Sequence, residues 1–212
     1  QDRNYLVWLR TLCDKFDVLL IFDEVISGFR VGFEGASGYY HIEPDIITFG
    51  KIVGGGMPVG AYGGSAKIMS TIAPDGPVYQ AGTLSANPVA MAAGIAVLKQ
   101  LREEGFYEKL EEKTRYFVNK IEKHIQAKNY PMHMVQMASI FWFDFSTRRT
   151  IKADDIKPES NEIFKKMHHL LLERGIYVGP SGYEVGFVSA AHTPEDLDIA
   201  ADTICNVLDE IF

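Results

Sequence analysis

Two apolar runs near the start of the chain each lead into a residue that could do chemistry. Residues 18–22 run directly into Asp23 and Glu24, and residues 46–49 are followed within two positions by Lys51. Each run predicts a buried strand. Because ligands of open α/β sheets bind beyond the carboxyl ends of the strands, we expect Asp23 and Lys51 to share one edge of a sheet. An acid for a ring nitrogen and an amine for an aldehyde are what a pyridine cofactor requires.

Each of these residues also has an ordinary interpretation, which the residues alone leave open. An acidic pair at the end of a strand is usually the solvated start of a loop, and a lysine beside glycines is usually a surface residue. The functional interpretation requires Asp23 to stay ionised, which a neighbouring cation favours. It requires Lys51 to be a Schiff-base lysine, whose pKa a desolvated and cation-bearing site lowers.

The glycines around Lys51 do not form either of the two common nucleotide loops. A Walker-type loop requires glycine where Asp45 stands, and serine or threonine where Ile52 stands. A dinucleotide fingerprint that begins at Gly54 would place its third glycine at Val59. Both motifs are therefore excluded.

Two other segments carry candidate binding residues. Gly82 and Thr83 lie shortly before a helix that Asn87 and Pro88 are expected to begin. A threonine hydroxyl and loop amides in that place can bind a phosphate, although an ordinary turn is the alternative. Glu184 lies in a glycine-rich turn, where a glutamate is normally a surface residue.

Hydrophobic periodicity and turn residues predict the elements that position these side chains. We predict helices over residues 1–14, 65–71, 87–104, 108–128 and 161–174 and from 194 onward, and strands over 18–22, 46–49, 57–62, 132–137, 139–145, 176–178 and 185–189. The run 18–22 does not alternate, which predicts a central strand covered on both faces. The order predicts an α/β fold, with a mainly parallel sheet over residues 1–104 and a smaller α+β domain over 105–212.

Composition excludes several classes of function. The net charge of −7 over 212 residues argues against nucleic-acid binding, which requires a basic surface. Two distant cysteines, Cys13 and Cys205, predict free thiols in a reducing compartment. No apolar run reaches 18 residues, so no membrane span is predicted. The chain begins inside a predicted helix and without methionine, so we interpret it as part of a longer protein.

Several motifs resemble one family. DEVISGFR at 23–30, PDIITFGKIVGGGMPVGAYGG at 44–64 and YQAGTLSANPVAMAAG at 79–94 resemble the class III aminotransferases, which are fold-type I pyridoxal phosphate enzymes. GIYVGPSGYEVGFVSAAHTPEDLD at 175–198 is similar to the aminomutases of that family, which move an amino group within one substrate. The resemblance covers nearly the whole chain. It implies a fold-type I large domain followed by a small C-terminal domain.

The resemblance also implies roles for the residues that bind the cofactor, pyridoxal or pyridoxamine phosphate. The lysine at the position of Lys51 bonds covalently to the cofactor, and the aspartate at Asp23 pairs with its ring nitrogen. The hydrophobic residue at Val25 packs on the ring. Thr83, beside Gly82, binds the cofactor phosphate of the partner subunit in a symmetric homodimer.

On the substrate side, the resemblance implies that Glu184 lies near a small amino-aldehyde substrate. Transaminases of the class commonly carry an arginine in this region, and its absence favours an aminomutase. Three departures from the family pattern are Ile26-Ser27, Ala86 where glycine is usual and Gly182 where glutamine is usual. The resemblance is consistent with a bacterial cytoplasmic or a plastid stromal location, and with no membrane or nucleic-acid partner.

Two alternatives accompany this interpretation. One is a class III ω-aminotransferase that uses two different substrates. The other is an inactive C-terminal fragment that serves as a folding or dimerisation unit. The first half of the family carries a phosphate-binding turn, a ring-stacking aromatic residue and a mobile lid, and these 212 residues include none of them. We therefore expect the 212 residues alone to be inactive.

Overall fold

A computed structural model describes residues 2–212. The chain forms two compact units, Gln1–Tyr107 and Glu108–Phe212. Gln1, which we predicted to begin the first helix, lies outside the described residues. The helices are α1 (Arg3–Phe16), α2 (Gly35–Tyr40), α3 (Ala66–Met69), α4 (Pro88–Leu101), α5 (Phe106–Lys128), α6 (Pro158–Glu173) and α7 (Pro194–Ile211). The strands are β1 (Ile21–Asp23), β2 (Ile46–Phe49), β3 (Ala61–Gly64), β4 (His133–Met137), β5 (Ile140–Asp144) and β6 (Gly186–Phe187).

The first unit contains a three-stranded sheet in the order β1-β2-β3. β1 and β2 are parallel, with Ile21 opposite Ile46 and Asp23 opposite Thr48, and β3 is antiparallel to β2. The prediction of a central strand over 18–22 does not hold within residues 2–212, where β1 has a neighbour on one side only and spans three residues. Ile21 consequently retains 57% of its accessible surface, whereas Phe22 is half-buried.

A carboxylate fixes the start of both parallel strands. Asp45 Oδ2 accepts hydrogen bonds from the backbone N–H of Leu20 and from Arg10 Nη1 on α1, both at 2.7 Å. The backbone bond from Leu20 contributes most, and Arg10 adds to it, in lowering the pKa of Asp45. Cys13 on α1 packs in the same region with Leu20 and Ile42. The ends of α1, β1 and β2 are therefore fixed together.

The observed bounds of β3 and α4 differ from the predicted ones, whereas the predicted cap of α4 is accurate. β3 begins at Ala61, four residues later than predicted, because Gly55 and Gly56 adopt left-handed φ angles of 60° and 91° and prolong the preceding turn. The predicted cap of α4 is confirmed: Asn87 Oδ1 accepts hydrogen bonds from the N–H groups of Val89 and Ala90 at 3.0 and 3.3 Å. α4 ends at Leu101, three residues before the predicted end.

The second unit packs α5, α6 and α7 with the antiparallel sheet β4-β5-β6. Helical periodicity in the sequence places five apolar residues on the inner face of α5, and all five are buried: Leu110, Phe117, Val118, Ile121 and Ile125. The sequence from Thr193 to Asp196 is a capping pattern for α7, and the structure confirms it, because Asp196 N donates to Thr193 Oγ1 at 3.1 Å and Thr193 N donates to Asp196 Oδ2 at 2.8 Å.

The prediction of a strand over 176–178 was wrong. Ile176 N donates to Leu171 O at 2.9 Å, so this backbone group closes the end of α6 and does not pair with a strand. Tyr177 is three-quarters exposed. The neighbouring prediction of a strand over 185–189 was too long, because β6 contains only Gly186 and Phe187.

Candidate active site

The parallel pairing of β1 and β2 places Asp23 and Lys51 at one edge of the sheet. Asp23 is the last residue of β1, and Lys51 comes two residues after β2 ends. Asp23 Oδ1 accepts hydrogen bonds from Val25 N at 3.0 Å and from Thr48 Oγ1 at 3.4 Å. The carboxylate is therefore oriented by the backbone and by the adjacent strand while its side chain stays exposed.

The backbone of Lys51 is strained. Its φ of 50° lies in the left-handed region, which typically costs a non-glycine residue about 1–3 kcal/mol and is most frequent at functional sites. The strain is maintained by the turn that follows, the 3₁₀ helix Lys51–Gly54, in which Val53 N donates to Gly50 O at 3.3 Å. An exposed lysine whose backbone is fixed in this way differs from an ordinary flexible surface lysine.

Val25 completes a cluster of three residues at this edge. A Cβ atom built on Gly50 would lie 3.2 Å from Val25 Cγ1, so the valine side chain packs against the residue that precedes Lys51. An oriented carboxylate, an apolar side chain and an exposed amine therefore occur together at the end of two parallel strands. This set of groups fits a flat, protonated heterocycle that carries an aldehyde or an amine.

Glu24 has a different environment from its neighbour Asp23. Its side chain is 1% exposed. Glu24 Oε2 accepts hydrogen bonds from Ala36 N at 2.7 Å and Ser27 Oγ at 2.6 Å, and Oε1 accepts one from Ser37 N at 2.7 Å. The ordinary interpretation of the pair as a solvated loop start is therefore wrong for Glu24. This carboxylate connects the end of β1 to the first turn of α2.

Sequence reasoning missed this role of Glu24, because its backbone partners belong to α2, a short helix that was not predicted. α2 begins after Glu34, whose side chain makes no capping hydrogen bond. The N–H groups of a first helical turn require acceptors from somewhere. Gly35 provides the space for the distant acceptor, because a Cβ atom there would collide with the Glu24 carboxylate.

Tyr107, the last residue of the first unit, also holds the loop between Glu24 and α2. Tyr107 donates its hydroxyl hydrogen to Phe29 O at 3.0 Å, and Phe29 has a left-handed φ of 58°. Burial raises the pKa of Tyr107 to about 12. Burial also lowers the pKa of Arg30 in the same loop. The segment after Asp23 is consequently well fixed.

α4 contacts the turn of Lys51 through backbone atoms. A Cβ atom on Gly94 would lie 2.5 Å from Val53 O, and one on Gly55 would collide with Ala93 O. Contacts of this kind require glycine at the position that faces the other backbone. The glycine at position 94 therefore lets α4 approach the lysine turn closely.

We expect Gly94→Ala to destabilise the first unit. Alanine normally stabilises a helix relative to glycine by about 1 kcal/mol. Here the new methyl group would collide with the backbone of Val53, and overpacking of this kind costs about 1–3 kcal/mol. Thermal unfolding of the full-length gene product should show a lower Tm. Gly63→Ala in β3 is the matched control, because no atom lies within 4 Å of a Cβ there; equal Tm values for the two variants would contradict the expectation.

Gly82 and Thr83 lie in an exposed turn before α4. Ser85 N donates to Gly82 O at 2.9 Å, and a Cβ atom on Gly82 would lie 2.6 Å from Ser85 Oγ. Ala86 ends this turn with a left-handed φ of 55°. Glycine adopts such angles readily, which explains why it is usual at this position in the family that the motifs resemble. Thr83 does not line the open cleft of about 580 Å³ beside Lys51, which is formed by Lys51, Ile52, Gly56, Met57, Pro58 and Val59.

Two cavities of the first unit, one of them beside Lys51, do not enclose the candidate site. The cleft beside Lys51 includes neither Asp23 nor Val25. A larger cavity of about 1230 Å³ lies around Arg10, His41 and Asp45 and contains none of the predicted site residues. The strand-end chemistry, and not the size of a cavity, identifies the site. Glu184 belongs to the second unit, where it is exposed at the end of a short turn.

Residues 2–212 contain neither a candidate metal cluster nor a candidate membrane-spanning helix. No group of three or more His, Cys, Asp or Glu side chains in this part of the chain could hold a metal ion. None of the helices described is both long and apolar enough to cross a membrane.

The fold of the chain is that of pyridoxal phosphate transaminases. A solved ω-transaminase from Sphaerobacter thermophilus superposes with a TM-score of 0.87 at 28% identity, over 99% of this chain and 48% of that one. A structure described as a transaminase with PLP bound superposes with a TM-score of 0.85 at 27% identity, over 98% of this chain and 48% of that one.

The chain belongs to the class III aminotransferase family, whose profile, described as Aminotransferase class-III, matches residues 1–211. Glutamate-1-semialdehyde 2,1-aminomutase from Legionella pneumophila (strain Lens) is 46% identical in an alignment of 211 positions that covers 97% of this chain and 49% of that protein. The family resemblance of the motifs is thereby confirmed. The chain spans about half the length of these relatives.

Proposed function

We propose that the protein containing these residues is a glutamate-1-semialdehyde 2,1-aminomutase. It would convert glutamate-1-semialdehyde to 5-aminolevulinate by moving an amino group within one substrate, and so supply tetrapyrrole synthesis. The observation that carries the proposal is the 46% identity to the Legionella aminomutase over 97% of the chain. The absence of arginine from residues 175–198 supports it, because these residues offer no guanidinium for a second substrate carboxylate.

The residues at the sheet edge suit pyridoxal or pyridoxamine phosphate, which when bound supplies an electron sink for a carbanion. Asp23 would hold a proton on the ring nitrogen, since its carboxylate is oriented by Val25 N and Thr48 Oγ1. The Val25 side chain would pack on the ring. Lys51 would bond to the cofactor and, once released, would move a proton between the substrate carbon and the cofactor carbon as a general acid and base.

The domain roles and the oligomeric state are part of the same proposal. Residues 1–104 would be the C-terminal part of the cofactor-binding large domain, and residues 105–212 the small domain, with Glu184 near the amino-aldehyde substrate. The protein would be a homodimer in which Gly82 and Thr83 bind the cofactor phosphate of the partner subunit. Large apolar side chains around this loop and on α4 support an interface there, because Leu84, Val89 and Ile95 are each more than half exposed. A bacterial cytoplasmic or plastid stromal location is consistent with this function.

The test is formation of 5-aminolevulinate without an added amino donor. We expect the full-length gene product, loaded with pyridoxamine phosphate, to convert glutamate-1-semialdehyde through many turnovers, because the amino group comes from the substrate itself. Omission of substrate is the control. Conversion that stops after one turnover per site unless an amino donor is added would contradict the proposal.

A class III ω-aminotransferase is the second candidate. The similarity to the Sphaerobacter ω-transaminase favours it, since this relative superposes over nearly the whole chain. A donor requirement in the same assay would assign this function. A third candidate, a non-catalytic fragment, applies to the 212 residues by themselves. Absence of a bound-cofactor absorbance band after adding pyridoxal phosphate to that fragment would support it.

A further inference from the structure

The turn that carries Glu184 is closed by its own backbone. Glu184 N donates to Ser181 O at 3.0 Å, and Tyr183 N donates to Ser181 Oγ at 3.3 Å. Tyr183 and Glu184 are both exposed. These two bonds define the shape of the turn, but they do not determine the direction in which it points.

Two side chains from other elements determine that direction. Trp142 on β5 donates its indole N–H to Gly182 O at 2.8 Å. Asn161 on α6 donates from Nδ2 to the hydroxyl oxygen of Tyr183 at 3.0 Å. The turn is thereby attached to the sheet at one residue and to a helix at the next. This hydrogen bond gives Trp142 a role beyond packing.

Gly179 determines where the Glu184 carboxylate lies. A Cβ atom built on Gly179 would collide with that carboxylate and would lie 3.2 Å from Glu184 Cβ. Gly179 is not among the glycines with a positive φ, so its backbone does not require glycine. The absence of a side chain is needed for space, and the Glu184 side chain folds back over this position.

We propose that Trp142 is a positioning residue for Glu184. By holding the Gly182 carbonyl two residues earlier, the indole N–H fixes the turn, and the turn fixes the carboxylate that meets the substrate. The inference rests on the proposed function, which places Glu184 at the substrate. It adds Trp142 and Gly179 as residues that tune the reaction without touching the reacting atoms.

Trp142→Phe in the full-length gene product tests the inference, because it removes the donor and keeps an aromatic ring. We expect kcat/KM to fall about fivefold, the effect of losing one ordinary hydrogen bond, while the affinity for pyridoxal phosphate is unchanged. Hydrogen–deuterium exchange at the Glu184 amide should accelerate. In a Glu184→Gln background, Trp142→Phe should change kcat/KM less than about twofold, because coupled residues are not additive.

A second variant distinguishes displacement of Glu184 from misfolding of the Trp142→Phe protein. Gly179→Ala leaves the Trp142 hydrogen bond intact and displaces the Glu184 carboxylate, so it should lower kcat/KM in the same way without faster exchange at Glu184. Tyr116→Phe is the matched control. It removes an aromatic hydrogen-bond donor to Asp198 at 2.6 Å in the same unit, with no contact to the turn, and should leave kcat/KM unchanged.

Two results would overturn the inference: unchanged kcat/KM in Trp142→Phe, or independent, multiplicative effects of Trp142→Phe and Glu184→Gln. Failure of the proposed function is distinguishable from both. A wild-type protein that requires an added amino donor is not an aminomutase, and the coupling between Trp142 and Glu184 is then measured on its transamination rate.

Discussion

Lys51→Ala is expected to abolish turnover of glutamate-1-semialdehyde by the full-length gene product. The variant loses the amine that bonds to the cofactor and that carries the proton in the proposed reaction. General acid–base catalysis alone contributes about 10²–10⁴-fold, so we expect a loss of at least about a thousandfold in kcat. The assay is the rate of 5-aminolevulinate formation.

Two further lysine variants sharpen this experiment. Lys51→Arg keeps the positive charge but cannot lose its proton, so it should be as inactive as Lys51→Ala. Lys67→Ala removes an exposed lysine of the same unit, on α3, and should leave the rate unchanged. Normal turnover by Lys51→Ala, or rescue by arginine, would refute the role of Lys51.

The same variant tests whether Thr83 serves the partner subunit. A Thr83→Ala subunit and a Lys51→Ala subunit are each defective in a homodimer. In a mixed dimer, one site combines both defects and the other contains an intact lysine and an intact threonine. Mixing the two proteins should therefore restore activity. No recovery after verified subunit exchange would place Thr83 in the site of its own subunit or outside any site.

The second large effect is expected at Glu24. Glu24→Ala removes the buried acceptor of two partly buried backbone N–H groups, those of Ala36 and Ser37. Each unsatisfied donor costs about 1–3 kcal/mol, so the loss of stability should be about 2–6 kcal/mol. We expect a markedly lower Tm and rapid hydrogen exchange at these two amides. Because α2 also orients the loop that follows Asp23, the affinity for pyridoxal phosphate should fall as well.

The control for Glu24 is another glutamate of the first unit. Glu43 is exposed, and its backbone carbonyl accepts a hydrogen bond from Arg10, which alanine would preserve. Glu43→Ala should therefore change the Tm little, as surface substitutions usually do. A Glu24→Ala protein with wild-type Tm and protected amides at Ala36 and Ser37 would show that the buried carboxylate does not hold α2.

Features that depend on neighbours in the sequence could be predicted accurately. The caps at Asn87 and Thr193 involve residues at most three positions away, and the structure confirms both. Strands depend on partners elsewhere in the chain. The run 18–22 is apolar enough for a central strand, but within the described residues β1 pairs on one side only. Residues 176–178 have strand-like composition, but the end of α6 uses the N–H of Ile176.

The candidate site could likewise be predicted only in part from the sequence. The rule for strand ends was sufficient to place Asp23 and Lys51 at one edge, because it requires only two parallel neighbours. It could not separate Asp23 from Glu24, whose partners lie 12 and 13 residues further along the chain. Nor could it connect Trp142 to the turn of Glu184, since 40 residues separate the indole from its acceptor at Gly182. Positioning contacts of this range are properties of the folded chain.

The backbone contact between α4 and the lysine turn has a consequence for engineering the substrate range. Gly94 lies against the backbone of Val53 and Gly55 against that of Ala93, so a side chain at either glycine would create a collision. A mutagenesis library that includes these positions would consist largely of unfolded members. Randomisation of the exposed residues Tyr183 and Glu184 would instead vary the proposed substrate contact while Lys51, the proposed covalent anchor of the cofactor, stays in place.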